Sequence, residues 1–298
     1  GPAVWGPRCQ SDRHAYAAWV REYLQRLSNL TIVPGEAVDI EVSTEGVAAV
    51  QVRDEAGLRR LACRAAVVSA GTFLAGRMHM GRRVWEGGRY DEPPAKALSD
   101  ALRRHGLRLE RLKTGTCPRL DAETLDYDQC IRQDGDADPR PFSFLNDSLD
   151  VAQVPCWITS TNADIHRVLQ ENFGRAALYT GQIQSTGPRY CPSIETKIER
   201  FPDKDSHQVF LEPEGRPEST RWVYCNGIAT SLPIDVQDDM VRHIPGLQSA
   251  RILRYGYAIE YDYAPPTQLT PTLETRAVAG LYLAGQVNGT TGYEEAAA

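Results

Sequence analysis

The sequence predicts an α/β protein interrupted by a mixed α+β region, and three observations carry that expectation. Two apolar strand-like runs, at residues 65–69 and 280–285, each end in small residues and glycine, where backbone must come close to a ligand. Between them, from residue 113 to about 271, short segments punctuated by Gly and Pro replace the longer periodic ones, as in an antiparallel sheet with helices set against it. The length of 298 residues exceeds one ordinary domain of about 150, so two packed units are expected.

Taken in order, Tyr16, Trp19, Val20, Tyr23, Leu24 and Leu27 recur at three and four, which predicts an amphipathic helix capped by Ser11 or Asp12 and ending near Asn29. Short β-prone runs follow at 31–33, 38–42, 48–52 and 65–69, with turns at Gly46 and Gly57. The last leads into Ser69-Ala70-Gly71-Thr72. Residues 76–94 are dense in Gly, Arg and Pro and read as an irregular excursion; residues 95–106 regain helical spacing, and the first unit closes near Leu112. Further on, 155–159 and 208–212 read as strands, 162–172 as a helix capped by Thr161 or Asn162, and 235–244 as another helix. A strand at 280–285 then turns into a helix beginning near Thr291. The expected organisation is therefore 1–112 and 271–298 as one domain, with 113–270 inserted.

Composition excludes several classes. Hydrophobic residues at 42% and charged residues at 24% suit a globular core. No run nears the roughly 18 apolar residues of a membrane span, and the first residues lack the basic and apolar regions of a signal peptide, so a soluble compartment, cytoplasm or mitochondrial matrix, is expected. The seven cysteines, at 9, 63, 117, 130, 156, 191 and 225, form no CxxC pair and suggest neither a zinc site nor a disulfide framework. His79, His166 and His207 show no metal-ligand spacing. A net charge of -6 argues against nucleic-acid binding over the whole surface, although the arginines from Arg103 to Arg119 leave room for a local patch; a solvated helix face is the blander and favoured reading. Glu260 and Asp262, two apart on a strand, share one face and read as a solvated or salt-bridged pair rather than an acid/base couple. No G-x-G-x-x-G turn is present, so the sequence is expected to start after the first strand of a dinucleotide fold.

The stretch Gly187-Pro188-Arg189-Tyr190-Cys191-Pro192-Ser193-Ile194-Glu195-Thr196-Lys197-Ile198-Glu199-Arg200-Phe201 resembles a signature of the glucose-inhibited division protein A (MnmG) family. A second run, Ala284-Gly285-Gln286-Val287-Asn288-Gly289-Thr290-Thr291-Gly292-Tyr293-Glu294-Glu295-Ala296-Ala297-Ala298, resembles another, and the likeness extends through Lys113-Thr114-Gly115-Thr116 and residues 211–215 and 256–262. Departures are Cys117 where the family has proline, Cys225 in the Tyr-x-Asn-Gly turn, and Ala95 where a serine near the flavin is common. The resemblance implies an FAD-binding Rossmann-like fold of the glutathione reductase type, lacking here the FAD-pyrophosphate turn and the C-terminal helical domain. It implies a tRNA-modifying enzyme that forms the 5-carboxymethylaminomethyl or aminomethyl group of wobble uridine from methylene-tetrahydrofolate with FAD and NADH. A homodimer and a tRNA-modification GTPase of the MnmE family are its implied partners. Alternatives are a folate- and FAD-dependent tRNA uridine 5-methyltransferase, or a non-catalytic fragment.

By the same resemblance Cys191 is the nucleophile, because carbon 5 of uracil attacks a one-carbon unit only after a thiolate has added at carbon 6. Residues Gly187, Pro188, Arg189, Tyr190, Pro192, Ser193, Glu195, Lys197 and Phe201 are implied to contact NAD. Gly71, Thr72, Ala95, Lys113, Gly285, Gln286, Asn288 and Gly289 are implied to lie at the flavin. Chemistry alone would make any one cysteine a buried structural residue, and that reading stands for the other six.

Overall fold

The computed structural model describes residues 8–185, 187 and 192–290. Helix α1 (Arg13–Gln25) starts where Asp12 accepts the His14 and Ala15 amides, as its sequence predicts, but stops four residues short of Asn29. None of its residues is buried, and Tyr16, Trp19 and Tyr23 of the apolar stripe stay exposed. A meander follows: β1 (Glu36–Ser43), β2 (Gly46–Asp54) and β3 (Gly57–Ala62) pair antiparallel in that order. The expected strand at 31–33 is absent, since Pro34 follows at once and supplies no N–H to a ladder. β3 was not expected: it is a polar, exposed edge strand without an alternating apolar face.

After β4 (Ala66–Val68), the presumed irregular excursion holds a hairpin, β5 (Arg77–Met80) and β6 (Arg83–Glu86). These four-residue strands carry no clear local signal, and β5 gains a second, distant partner in the strand Tyr257–Tyr263. Helix α2 (Lys96–Arg104) buries Leu98, Ala101 and Leu102. β7 (Glu110–Thr116) runs across the expected boundary at 112, and β8 (Arg119–Asp121), β9 (Ile131–Gln133) and β10 (Cys156–Ser160) follow. Then come α3 (Ala163–Asn172), capped by Asn162 on the Ile165 amide, α4 (Ile194–Arg200), β11 (Gln208–Pro213), β12 (Trp222–Asn226) and α5 (Ile234–Arg242). β13 (Ile252–Arg254), β14 (Tyr257–Tyr263) and β15 (Leu281–Leu283) complete the described strands; the helix expected from Thr291 lies outside the described residues.

Three further sheets join the meander. The largest is antiparallel, in the order β13-β8-β12-β11-β10-β9. Its core is formed by Leu120, Val209, Leu211, Val223 and Cys225 from the strands against Ile165, Leu169, Ile194, Ile198, Val236 and Met240 from α3, α4 and α5, which makes this the mixed α+β part. A second core gathers Ile40, Val47, Val68, Leu74, Leu98, Leu102, Leu281 and Leu283 from the meander, α2 and the parallel pair β4–β15. Between these cores, the four-stranded sheet β6-β5-β14-β7 ties residues 77–116 to 257–263.

The arginines that left room for a basic patch are each paired with a carboxylate. Arg103 and Arg111 converge on buried Asp262, Arg104 meets Asp39, Arg108 meets Glu110, and Arg119 meets Glu214. Asp262 also accepts from Ser99, so its charge is compensated on three sides, as a fully buried carboxylate requires. Asp262 is thus salt-bridged rather than solvated, and Glu260, also buried, has hydrogen-bond partners of its own.

Candidate functional site

β4 and β15 run parallel, with Val68 beside Leu283, so the turns that follow both strands emerge together. Ligands of open α/β sheets sit at such carboxyl ends. The first turn places Gly71 at φ +54, and a Cβ there would lie 3.6 Å from the Gln286 Oε1. A side chain at residue 71 would therefore fill the space between the two turns. Thr72 donates its hydroxyl to the Gly88 carbonyl at 2.6 Å, and Ala95 donates its amide to Phe73 at 2.8 Å, bringing the start of α2 to the same turn. The second turn is a short 3-10 stretch, Gly285–Asn288, held by the Asn288 amide on the Leu283 carbonyl. Gly289 follows at φ +98, against the Tyr263 ring, and the Thr290 hydroxyl is buried with no hydrogen-bond partner among the described residues. An open cradle at Gly71 and an unpaired buried hydroxyl beside Gly289 fit a polar, planar group such as a flavin.

The segment from 187 to 201 is described in part. Pro188, Arg189, Tyr190 and Cys191 lie outside the described residues. Gly187 is exposed, and a Cβ on it would lie 3.9 Å from the Lys113 Cδ, so these two expected residues meet. Lys113 is 3% exposed and pairs in register with Glu260. Downstream, Ser193 caps α4 by accepting the Thr196 amide. Glu195 is fully buried, accepting from the Thr230 hydroxyl at 2.7 Å and the Ser231 amide at 3.0 Å, while its second oxygen has no partner among the described residues. Lys197 donates to the Gly227 carbonyl at 2.8 Å. Pro192, Lys197 and Phe201 line a cavity of about 380 Å³ with Lys204 and His207. Burial pushes the His207 imidazole below its ordinary value, and His166, Lys197 and Lys204 push the same way.

One group escaped the sequence reading. His79, wholly buried on β5, has Nε2 at 2.9 Å from the Glu260 carboxylate on β14 and Nδ1 at 3.0 Å from the Gln182 side-chain amide. The other oxygen of Glu260 accepts the Gln184 and Ser185 amides. Burial raises the Glu260 carboxyl, but the hydrogen bonds from His79 and Ser185 outweigh it and hold the group at about 2. The available signal was a carboxylate, Glu260, within the apolar run of β14, whose first six residues are all buried; His79 sat in a stretch that read as irregular. Cys117 and Cys225 are buried, and burial pushes both up.

Among the described residues, no group of His, Cys, Asp or Glu is arranged to hold a metal ion, and no helix is long and apolar enough to cross a membrane.

Two parallel strands whose following turns meet at Gly71 and Gln286, tied through a shared antiparallel sheet to an α+β unit, define an α/β fold. The chain belongs to the glucose inhibited division protein A family, whose profile matches residues 1–298. It is 49% identical to the tRNA uridine 5-carboxymethylaminomethyl modification enzyme MnmG of Rhodopirellula baltica, over 100% of this chain and 46% of that one. It is 50% identical to the protein of the same name from Syntrophotalea carbinolica, over 100% of this chain and 47% of that one. Among solved structures, Aquifex aeolicus GidA in its form I crystal superposes with a TM-score of 0.88 at 45% identity, covering 96% of this chain and 48% of that one. The chain thus spans about half the length of the curated relatives it matches.

Proposed function

We propose that this chain is the flavin- and uracil-handling part of an enzyme that installs the 5-carboxymethylaminomethyl, or aminomethyl, group on the wobble uridine of tRNA. The observation that carries this reading is the near-50% identity, over the whole chain, to relatives named for that modification. In this reading Cys191 is the nucleophile. Its thiolate adds to carbon 6 of the uracil, and carbon 5 attacks the methylene carbon of methylene-tetrahydrofolate as one of its two C–N bonds opens; loss of the carbon-5 proton expels tetrahydrofolate and leaves an exocyclic methylene, to which ammonia or glycine adds before the thiolate departs and restores the ring. FAD, held by Gly71, Thr72, Ala95, Gln286, Asn288 and Gly289, would supply two-electron redox chemistry fed by NADH. The glycine at 71 keeps the cradle open, and the Gln286 side chain and the Thr290 hydroxyl offer polar contacts along its wall. Gly187, four residues ahead of Cys191 in the chain, lies beside Lys113 of the sheet that joins both units. A homodimer, a partner GTPase of the MnmE family and a cytoplasmic location complete the proposal.

The test uses the full-length protein, its FAD and tRNA lacking the modification, with nucleosides read by mass spectrometry. Wild type is expected to form the aminomethyl-type product. Cys191→Ser is expected to lose product to background while retaining yellow flavin. Product formation by Cys191→Ser would overturn the nucleophile assignment. Accumulation of 5-methyluridine would move the protein to the methyltransferase reading, and a wild type that stays colourless with excess FAD would refute the flavoprotein reading.

A further inference from the structure

The residues on either side of the Cys191 segment are tied into one buried network, and this has a functional consequence. On the upstream side, the Gln182 amide nitrogen donates to the Gly81 carbonyl at 3.2 Å and to His79 Nδ1 at 3.0 Å. The nearby Gly81 carbonyl is an acceptor only, which fixes the amide with its nitrogen toward both groups. His79 Nδ1 must then accept, so the imidazole is neutral and its Nε2–H donates to Glu260. Glu260 in turn receives the Gln184 and Ser185 amides on its other oxygen, closing the arrangement on the segment that leads to Gly187. On the downstream side, Glu195 of α4 accepts the Ser231 amide, and the Ser231 carbonyl accepts the Gly81 amide at 2.7 Å. Both sides therefore meet at Gly81, the first residue of the β5–β6 turn.

We infer that His79 and Glu260 are positioning residues that, with Gln182, hold residues 182–185, which precede Cys191 in the chain, at a fixed place relative to α4. They do not act as an acid/base dyad. His79 is 0% exposed, both of its ring nitrogens are occupied, and Glu260 is 5% exposed, so neither meets a substrate. Buried polar groups of this kind are costly unless each is satisfied, and here the His79–Glu260 bond joins β5 to β14 while the remaining bonds go to the loop at residues 182–185. Proximity effects make such placement matter, because a reactive atom displaced by about 1 Å can lose roughly a hundredfold in rate.

The inference rests on Cys191 being the reactive thiol, and its experiment separates the two. Gln182 is half-buried on a loop, so Gln182→Ala removes the amide without opening the core; Glu260→Gln is the companion variant. In full-length enzyme, both are expected to lower kcat for tRNA modification at least tenfold, with KM for tRNA within twofold, flavin retained and the Tm of Gln182→Ala within two degrees of wild type. Unchanged kcat in Gln182→Ala would overturn the inference. In parallel, brief iodoacetamide labelling is read on the tryptic peptides Tyr190–Lys197, holding Cys191, and Cys9–Arg13, holding the exposed Cys9 as internal reference. The Cys191 to Cys9 labelling ratio is expected to change at least threefold in Gln182→Ala. If wild type modifies no uridine, the proposed function fails, and this ratio alone decides: a shift supports the positioning role, and an unchanged ratio refutes it.

Discussion

Replacing Glu260 by Gln should change the acid stability of this protein in a direction and amount that its surroundings fix. The carboxyl is held at about 2 against an ordinary 4.5. Because the folded value is depressed, the stabilisation is fully present above the unfolded value of 4.5 and is lost as pH falls through the folded value near 2. Converted at about 1.4 kcal/mol per pH unit, the difference amounts to about 3 kcal/mol at neutral pH. A Gln at residue 260 accepts through one atom only. Its amide N–H2 would face either the His79 Nε2–H or the two backbone N–H groups that now meet the carboxylate, opposing donor to donor. Urea unfolding followed by tryptophan fluorescence, across a pH series, provides the assay. At pH 7 the variant should be about 3 kcal/mol less stable than wild type, and the gap should narrow by about 1 kcal/mol by pH 3.5, where the wild-type carboxylate starts to lose its advantage. A gap below about 1 kcal/mol at pH 7, or one that does not change down to pH 3.5, would refute the reasoning.

Two other outcomes follow from the packing. Leu211, fully buried on β11 between the large sheet and its helices, should cost about 2 to 5 kcal/mol when cut to Ala, read as a shift in urea midpoint at constant slope; a loss under about 1 kcal/mol would mean that this core is not close-packed. The native protein should be alkylated at exposed Cys9 but not at Cys117 or Cys225, whose thiols are buried and pushed up by that burial, until urea exposes them; early labelling of Cys225 would contradict its placement on β12.

What could be read in advance were features whose cause is local. Asp12 and Asn162 announce α1 and α3 because a short oxygen-bearing side chain satisfies free amides one turn on, whatever the rest of the chain does. Runs such as 156–160 and 208–213 declare themselves as strands through β-branched and aromatic residues. The paired glycine turns after β4 and β15 were likewise legible, since a glycine after an apolar strand marks a close approach. By contrast, β5 and β6 are four residues each, and β5 joins the sheet only through β14, about 180 residues later.

The amino-acid order therefore determined the family and those elements with a local signal, because periodicity, caps and motifs are properties of neighbours in the chain. Tertiary structure alone decided which of those residues meet. His79 and Glu260 are 181 positions apart, and nothing in either neighbourhood foretells the other. Their pairing follows from the register of β5 on β14, where Ala258 faces His79 and sets the histidine ring beside the Glu260 carboxylate. The same register places Lys113 opposite Glu260, close to Gly187. A buried charge must find partners wherever the fold supplies them, and that choice belongs to the sheet rather than to the sequence around the charge.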